Sequence, residues 1–163
     1  MWYTMGTNAL EEEYASMNIL FVCTGNTCRS AMAAALMDKI ATERDLDVRI
    51  ESAGLSAADG DMASDNAIKA MIPYGIDLTN HRSQPVTEDL LKQCDLILTM
   101  TAAHKAVIEP LAKDKVFTLA EYVGAAGDIS DPYGGDLEEY EGCASEIYSM
   151  LTDVADKIAK END

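Results

Sequence analysis

Residues 18–45 read NILFVCTGNTCRSAMAAALMDKIATERD, and this stretch decides the fold. Asn18 to Thr24 is a short, almost wholly apolar run, the pattern of a strand covered on both faces. A Gly-containing loop follows, and then Ser30 opens a run of helix formers with a polar far end. A strand that passes through a tight loop into a helix is the first half of a β-α-β unit.

Outward from it, the same alternation continues. VRIESAG is a second strand closed by Gly54, and SDNAIKAMIPYG a helix capped by Ser64 or Asp65 and stopped at Gly75. TEDLLKQC is a short helix, DLILTM a buried strand, and TAAHKAVIEP a helix ending near Pro110. KVFTLAEYV reads as a fourth strand passing into a short turn, DISDPYGGD as a turn-rich loop, and residues 137–160 as a long terminal helix. Short apolar strands alternating with helices predict an α/β fold, an open doubly wound parallel sheet of four strands with helices on both faces. Residues 1–16 lack a core-facing period and read as a tail, flexible or the product of an upstream start, leaving residues 17–163 as one domain.

Composition bounds the function. The chain has 163 residues, 12 basic against 29 acidic, for a net charge of −17. Counterion release at nucleic acid needs clustered Lys and Arg, so no nucleic-acid partner is expected, nor docking on an anionic membrane. No apolar run is long enough to span a bilayer, and the first residues lack the basic and apolar regions of a secretory signal. Four cysteines in a chain of this size do not make a disulfide scaffold, so reduced thiols and a cytoplasmic location are expected.

In a sheet of this kind ligands sit beyond the carboxyl ends of the strands, at the switch point. Cys23 falls there. Thr24, Gly25, Asn26, Thr27, Cys28, Arg29 and Ser30 then lead into the helix. Backbone N–H groups and the positive end of the helix dipole converge on such a loop and make an anion site. Gly25 is expected to take the tight bend, and Arg29 supplies a planar fork of donors matched to phosphate. The same field favours an ionised sulfur at Cys23, aimed at phosphorus, with Ser30 donating its hydroxyl to that sulfur. The bland alternative is a buried structural cysteine beside a surface arginine. A nucleotide-binding P-loop fits poorly, because its Gly-Lys-Ser/Thr is missing. Displacement at phosphorus also needs a proton donor on the far side, for which Asp131 in SDPYGG is the candidate, with Tyr133 walling the mouth. An Asp in a Pro-Gly turn is otherwise only a turn former.

These residues together resemble the low-molecular-weight protein tyrosine phosphatase family, over Met17 to Asp163. VCTGNTCRS and DPYGG carry the likeness, and ESAG and GIDLTNHRSQPVT support it. The resemblance implies strand order 2-1-3-4 and a two-step mechanism with neither metal nor cofactor. Cys23 would form a phosphocysteine, the loop from Cys23 to Arg29 would hold the phosphoryl oxygens, and Asp131 would protonate the leaving group and then activate water. Phosphorylated proteins would be the partners, with inorganic phosphate as product or inhibitor. It also implies that Asn26, Ser30, Ser52 and His81 form a hydrogen-bond network fixing the loop, although a lone His can equally be a capping or surface residue. Family members commonly carry Pro after the Ser; here Ala31 stands there.

Thr27 is a finer signal. Tyrosine-directed members usually have a larger aliphatic residue at this place and a bulky aromatic after the second strand. Here GLSAADGDMAS has no aromatic, so a phenol ring would lose ~1 kcal/mol or more of contact at each position. The pattern resembles the protein-arginine phosphatase branch more closely, with Thr27, Asp131 and Tyr133 receiving a flat phosphoguanidinium. Phosphotyrosine is the alternative, as is a Thr27 with no selective role. Cys28 is either a packing residue or the partner of Cys23 in a reversible disulfide that guards the thiolate from over-oxidation. Cys94 and Cys143 fall in helical patterns and read as core or surface thiols. Thioredoxin-coupled arsenate reduction would need a further pair of close cysteines, and only Cys94 lies in the middle of the chain. A non-catalytic phosphate-binding or redox-sensing module would be expected to lack the Asp or the Arg.

Overall fold

The computed structural model describes residues 16–161; the expectation for a tail concerns residues that, Ser16 apart, lie outside this range. The elements run β1 (Met17–Cys23), α1 (Arg29–Arg44), β2 (Val48–Gly54), α2 (Asp65–Met71), α3 (Glu88–Gln93), β3 (Leu96–Thr99), α4 (Ala102–Ile108), β4 (Val116–Thr118), α5 (Leu119–Tyr122) and α6 (Leu137–Glu161). All four strands are parallel, in the order β2-β1-β3-β4.

The central strand β1 explains the two-sided arrangement. Its side chains alternate across the sheet, and Ile19, Leu20, Phe21 and Val22 are all fully buried. Ile19 and Phe21 face a core shared with Met32 and Leu36 of α1, Ala67 of α2 and Ile147, Leu151 and Ile158 of α6. Leu20 and Val22 face a smaller cluster with Leu91 of α3, Ile97 of β3 and Ile108 of α4. Each large aliphatic side chain so buried contributes ~1.5–3 kcal/mol. None of the helices among the described residues is long and apolar enough to cross a membrane.

The end of β4 departs from the expectation of a turn. Thr118 accepts the Glu121 N–H on its side chain while the Glu121 carboxylate accepts the Thr118 N–H, a reciprocal cap that starts α5. The T-x-x-E signal for it is present in TLAE. Beyond that, every strand and helix read from the alternation lies within a few residues of its place.

Strand order places the switch point at β1. The chain leaves β1 for β2 on one side and later returns to lay β3 on the other. The carboxyl end of β1, where Cys23 pairs with Gly54, is therefore open to a crevice rather than covered by a crossover.

Candidate active site

The loop between β1 and α1 closes over Cys23 through one unusual residue. Asn26 sits in left-handed backbone at φ 58°, which costs a non-glycine residue about 1–2 kcal/mol. The bend expected at Gly25 is taken here instead. What offsets the strain is a set of four bonds, two through the side-chain amide and two through the backbone. Its Nδ2 donates to Ser30 Oγ at 2.8 Å, and its Oδ1 accepts the Gln84 N–H at 3.0 Å. Its own N–H reaches Cys23 Sγ at 3.3 Å, and His81 Nε2–H donates to its carbonyl at 2.6 Å.

Because Ser30 Oγ already accepts from Asn26, its hydroxyl hydrogen is free for the Cys23 sulfur, 2.8 Å away. Two donors thus converge on a sulfur that is 2% exposed. Such a pair suits a thiolate, as attacking or as leaving group.

Arg29 is 4% exposed, and Nη1 is spent on the Ile129 carbonyl at 2.9 Å. Nη2 lies 3.6 Å from Asp131 Oδ2, on a carboxylate that is about half exposed. Nε has no partner among the described residues although it is buried. A buried guanidinium donor left idle is costly unless an anion takes it. Beside it is a cavity of about 240 Å³ lined by Cys23, Thr24, Gly25, Thr27, Cys28, Arg29, Asp131 and Tyr133. The α1 N-terminus, whose Cys28 cap position makes no side-chain cap bond, opens at the same place. The arrangement can hold a tetrahedral dianion over a sulfur nucleophile.

Across the mouth, Asp131 Oδ1 accepts the Tyr133 N–H at 3.1 Å, which orients the carboxylate within its Pro-Gly turn. Tyr133 is 76% exposed, an aromatic face on the cavity wall. Thr27 stands on the cavity wall, and its carbonyl accepts the Ser64 N–H that begins α2.

Of the expected supporting residues, His81 joins the Asn26–Ser30 network and Ser52 enters it only indirectly. Ser52 offers its carbonyl to Gln84 Nε2 at 3.0 Å; its hydroxyl makes no bond to Asn26, Ser30 or His81 among the described residues. Gln84, bridging Ser52 and Asn26, is a residue that sequence reasoning missed, although it lies within the HRSQPVT stretch. Gly54 is held to no bulk by its neighbours: a Cβ there would stand 2.5 Å from the Thr24 carbonyl oxygen and 2.9 Å from the Asn26 nitrogen.

All four cysteines are free thiols. Cys28 Sγ donates to Ser64 Oγ at 3.5 Å and lies 3.3 Å from the Tyr140 hydroxyl. Burial pushes Tyr140 up to about 12, with the Cys28 contact acting in the same direction. Cys94 and Cys143 are buried, and loss of hydration pushes them up to about 11 and about 12. His81 and His104 are both pushed below the ordinary imidazole range, first by burial.

The family model described as low molecular weight phosphotyrosine protein phosphatase matches residues 18–163. Over 149 residues the chain is 44% identical to a protein-arginine-phosphatase of Bacillus subtilis strain 168, covering 89% of this chain and 99% of that protein. It is 40% identical over 144 residues to the low molecular weight protein-tyrosine-phosphatase PtpB of Staphylococcus aureus, covering 87% and 99%. A solved YwlE arginine phosphatase, in which serine replaces the active-site cysteine and is phosphorylated, superposes with a TM-score of 0.85. The identity to it is 42%, covering 88% of this chain and 97% of that one.

Proposed function

The chain belongs to the low molecular weight phosphotyrosine protein phosphatase family, a family of hydrolases, and on that premise we propose that it removes phosphate from phosphoarginine in proteins. The observation that carries the reading is the cavity beside Cys23 and Arg29, with Thr27 on its wall and Asp131 and Tyr133 at its mouth. No aromatic residue stands in the loop after β2 to grip a phenol.

In the first step the Cys23 sulfur attacks phosphorus, the P–S bond forms and the P–N bond to the guanidino group breaks. Asp131 gives a proton to the departing nitrogen, and Arg29 with the loop N–H groups carries the charge on the equatorial oxygens. In the second step Asp131 takes a proton from water as that water attacks phosphocysteine. The P–S bond breaks, and the returning thiolate is received by Ser30 and the Asn26 N–H. Inorganic phosphate leaves, and as a product that fits the same cradle it inhibits competitively. The phosphorylated serine in the YwlE relative supports a phospho-enzyme at the corresponding place. Free thiols throughout fit the reducing cytoplasm.

Phosphotyrosine is the second reading, favoured by the 40% identity to PtpB. Hydrolysis of phosphoarginine and phosphotyrosine peptides side by side decides between them. Wild type should prefer phosphoarginine, and Thr27→Ile should tilt the ratio of kcat/KM toward phosphotyrosine. An unchanged ratio removes the role given to Thr27.

Cys28, on the same loop as Cys23, is read as a resolving thiol. Peroxide would oxidise the Cys23 thiolate to a sulfenic acid with loss of hydroxide, and Cys28 would then displace water to form the disulfide. Reversible inactivation with an intramolecular disulfide seen by mass spectrometry is the expected result. Its absence ends the redox role.

A further inference from the structure

His104 was given no part in the site by its sequence context, yet the tertiary structure brings it to the loop. It lies on α4, whose first turn is tied down. Thr101 Oγ1 accepts the His104 N–H at 3.1 Å, and Asp128 Oδ1 accepts the Ala102 N–H at 2.9 Å. Just before α4, the Met100 N–H donates to the Val22 carbonyl at 3.0 Å, and the Met100 carbonyl accepts the Ile129 N–H at 2.9 Å. The Ile129 carbonyl is the one that takes Arg29 Nη1. The base carrying His104 is therefore bonded to β1 on one side and, through Ile129, linked to the arginine on the other.

From that base the ring reaches Thr24, with Nε2 2.9 Å from Oγ1. Thr24 follows Cys23 directly and lines the cavity. His104 is 6% exposed, and Nδ1 has no partner among the described residues. An aliphatic side chain would fill this space without leaving a buried ring nitrogen idle. Among the described residues the bond to Thr24 is the one polar contact the ring makes, and that contact accounts for an imidazole here.

We propose that His104 is a positioning residue, whose neutral ring holds the Thr24 hydroxyl and so fixes the Cys23–Thr24 end of the phosphate loop. This rests on the phosphatase reading above. The loop is then braced by an imidazole at each side: His81 at the Asn26 carbonyl, His104 at the Thr24 hydroxyl. The charged groups facing His104 are Arg29 from α1, which disfavours a second proton, and Asp128 and Asp131 from the loop before α6, which favour one. Burial outweighs these, and the ring stays neutral at neutral pH. A second proton makes both ring nitrogens donors and sets a cation beside Arg29.

The test is kcat and KM for para-nitrophenyl phosphate from about pH 4.5 to 8, in the full chain, for wild type and His104→Gln, His104→Asn and His104→Ala. Gln places an amide where Nε2 stands; Asn reaches only as far as Nδ1. The Asn and Ala variants should lose about tenfold in kcat with KM little changed. Gln should restore most of it and remove one ionisation from the acid limb of kcat. Thr24→Val should match His104→Asn, and the two together should cost no more than either. Equal kcat for the Gln and Asn variants overturns the positioning role, and so does additivity with Thr24→Val. The premise is read separately: a wild type no faster than Cys23→Ser defeats the phosphatase reading itself.

Discussion

Replacing Gly54 by Ala asks whether the loop tolerates any displacement. The added Cβ would stand 2.5 Å from the Thr24 carbonyl oxygen. A carbon and a carbonyl oxygen rest at ~3.3 Å or more, so one of the two backbones must retreat by about 0.8 Å. Gly54 itself is held on both sides, its N–H donating to the Gln84 carbonyl and its carbonyl accepting the Val86 N–H. The Cβ also meets the Asn26 nitrogen at 2.9 Å, so relief at Thr24 cannot come from tilting toward Asn26. The loop therefore moves. Overpacking of this kind costs ~1–3 kcal/mol, small enough against a total of ~5–15 kcal/mol that the protein still folds. For a chain of this size the melting temperature should drop by ~2–12 °C. Turnover should suffer more, because a ~1 Å misplacement of reacting groups costs on the order of 100-fold. The assay is thermal melting with kcat for para-nitrophenyl phosphate measured well below the melting point. Gly142→Ala is the control: a Cβ there meets nothing within 4 Å, and Ala in a helix should stabilise by ~0.5–1 kcal/mol with unchanged kcat. A Gly54→Ala enzyme with wild-type kcat would refute the claim that the close approach to Thr24 and Asn26 sets the nucleophile's geometry.

Asp131→Ala should lower kcat by ~10²–10⁴ while KM changes little; equal losses in kcat and affinity would make Asp131 a binding residue only. In native protein near neutral pH, iodoacetamide should spare Cys94 and Cys143, which burial holds up at about 11 and about 12. Labelling of either before unfolding contradicts that. Acid should also weaken folding through the two histidines. Their folded pKa values lie below the ordinary 6.5, so between the two the unfolded chain binds more protons, and stability falls as pH drops below about 6.5. Acid also relieves the repulsion of a −17 chain, so the measurement is a difference. The urea midpoint of wild type should fall more on acidification than that of His81→Gln/His104→Gln. The reverse order would show the histidines gaining protons on folding.

The alternation of β1, loop and α1 was legible because it is local: a strand buried on both faces must be apolar, and a helix must open on a capping signal. Cys23, Arg29 and their spacing belong to the same contiguous stretch. The sequence places Asn26 in the loop and a tight bend at Gly25, because glycine bends with little strain. The structure uses Asn26 because its amide meets Ser30 and Gln84 at once, and half of that pair comes from 58 residues away. The α5 cap is legible in TLAE, where Thr and Glu three residues apart form a reciprocal cap.

From its sequence alone this protein is an open α/β sheet with a cysteine and an arginine, five residues of loop between them, at the first strand–helix turn. Those features depend on neighbours a few residues apart, where backbone geometry and side-chain type suffice. The family resemblance implies His81, but only the tertiary structure decided which other distant groups brace that turn: Gln84 on the side of His81, His104 on the other, and Gly54 beneath. Their contacts are set by strand order and helix packing, and a hydrogen bond or a steric clearance measured in tenths of an ångström leaves no periodic trace along a chain.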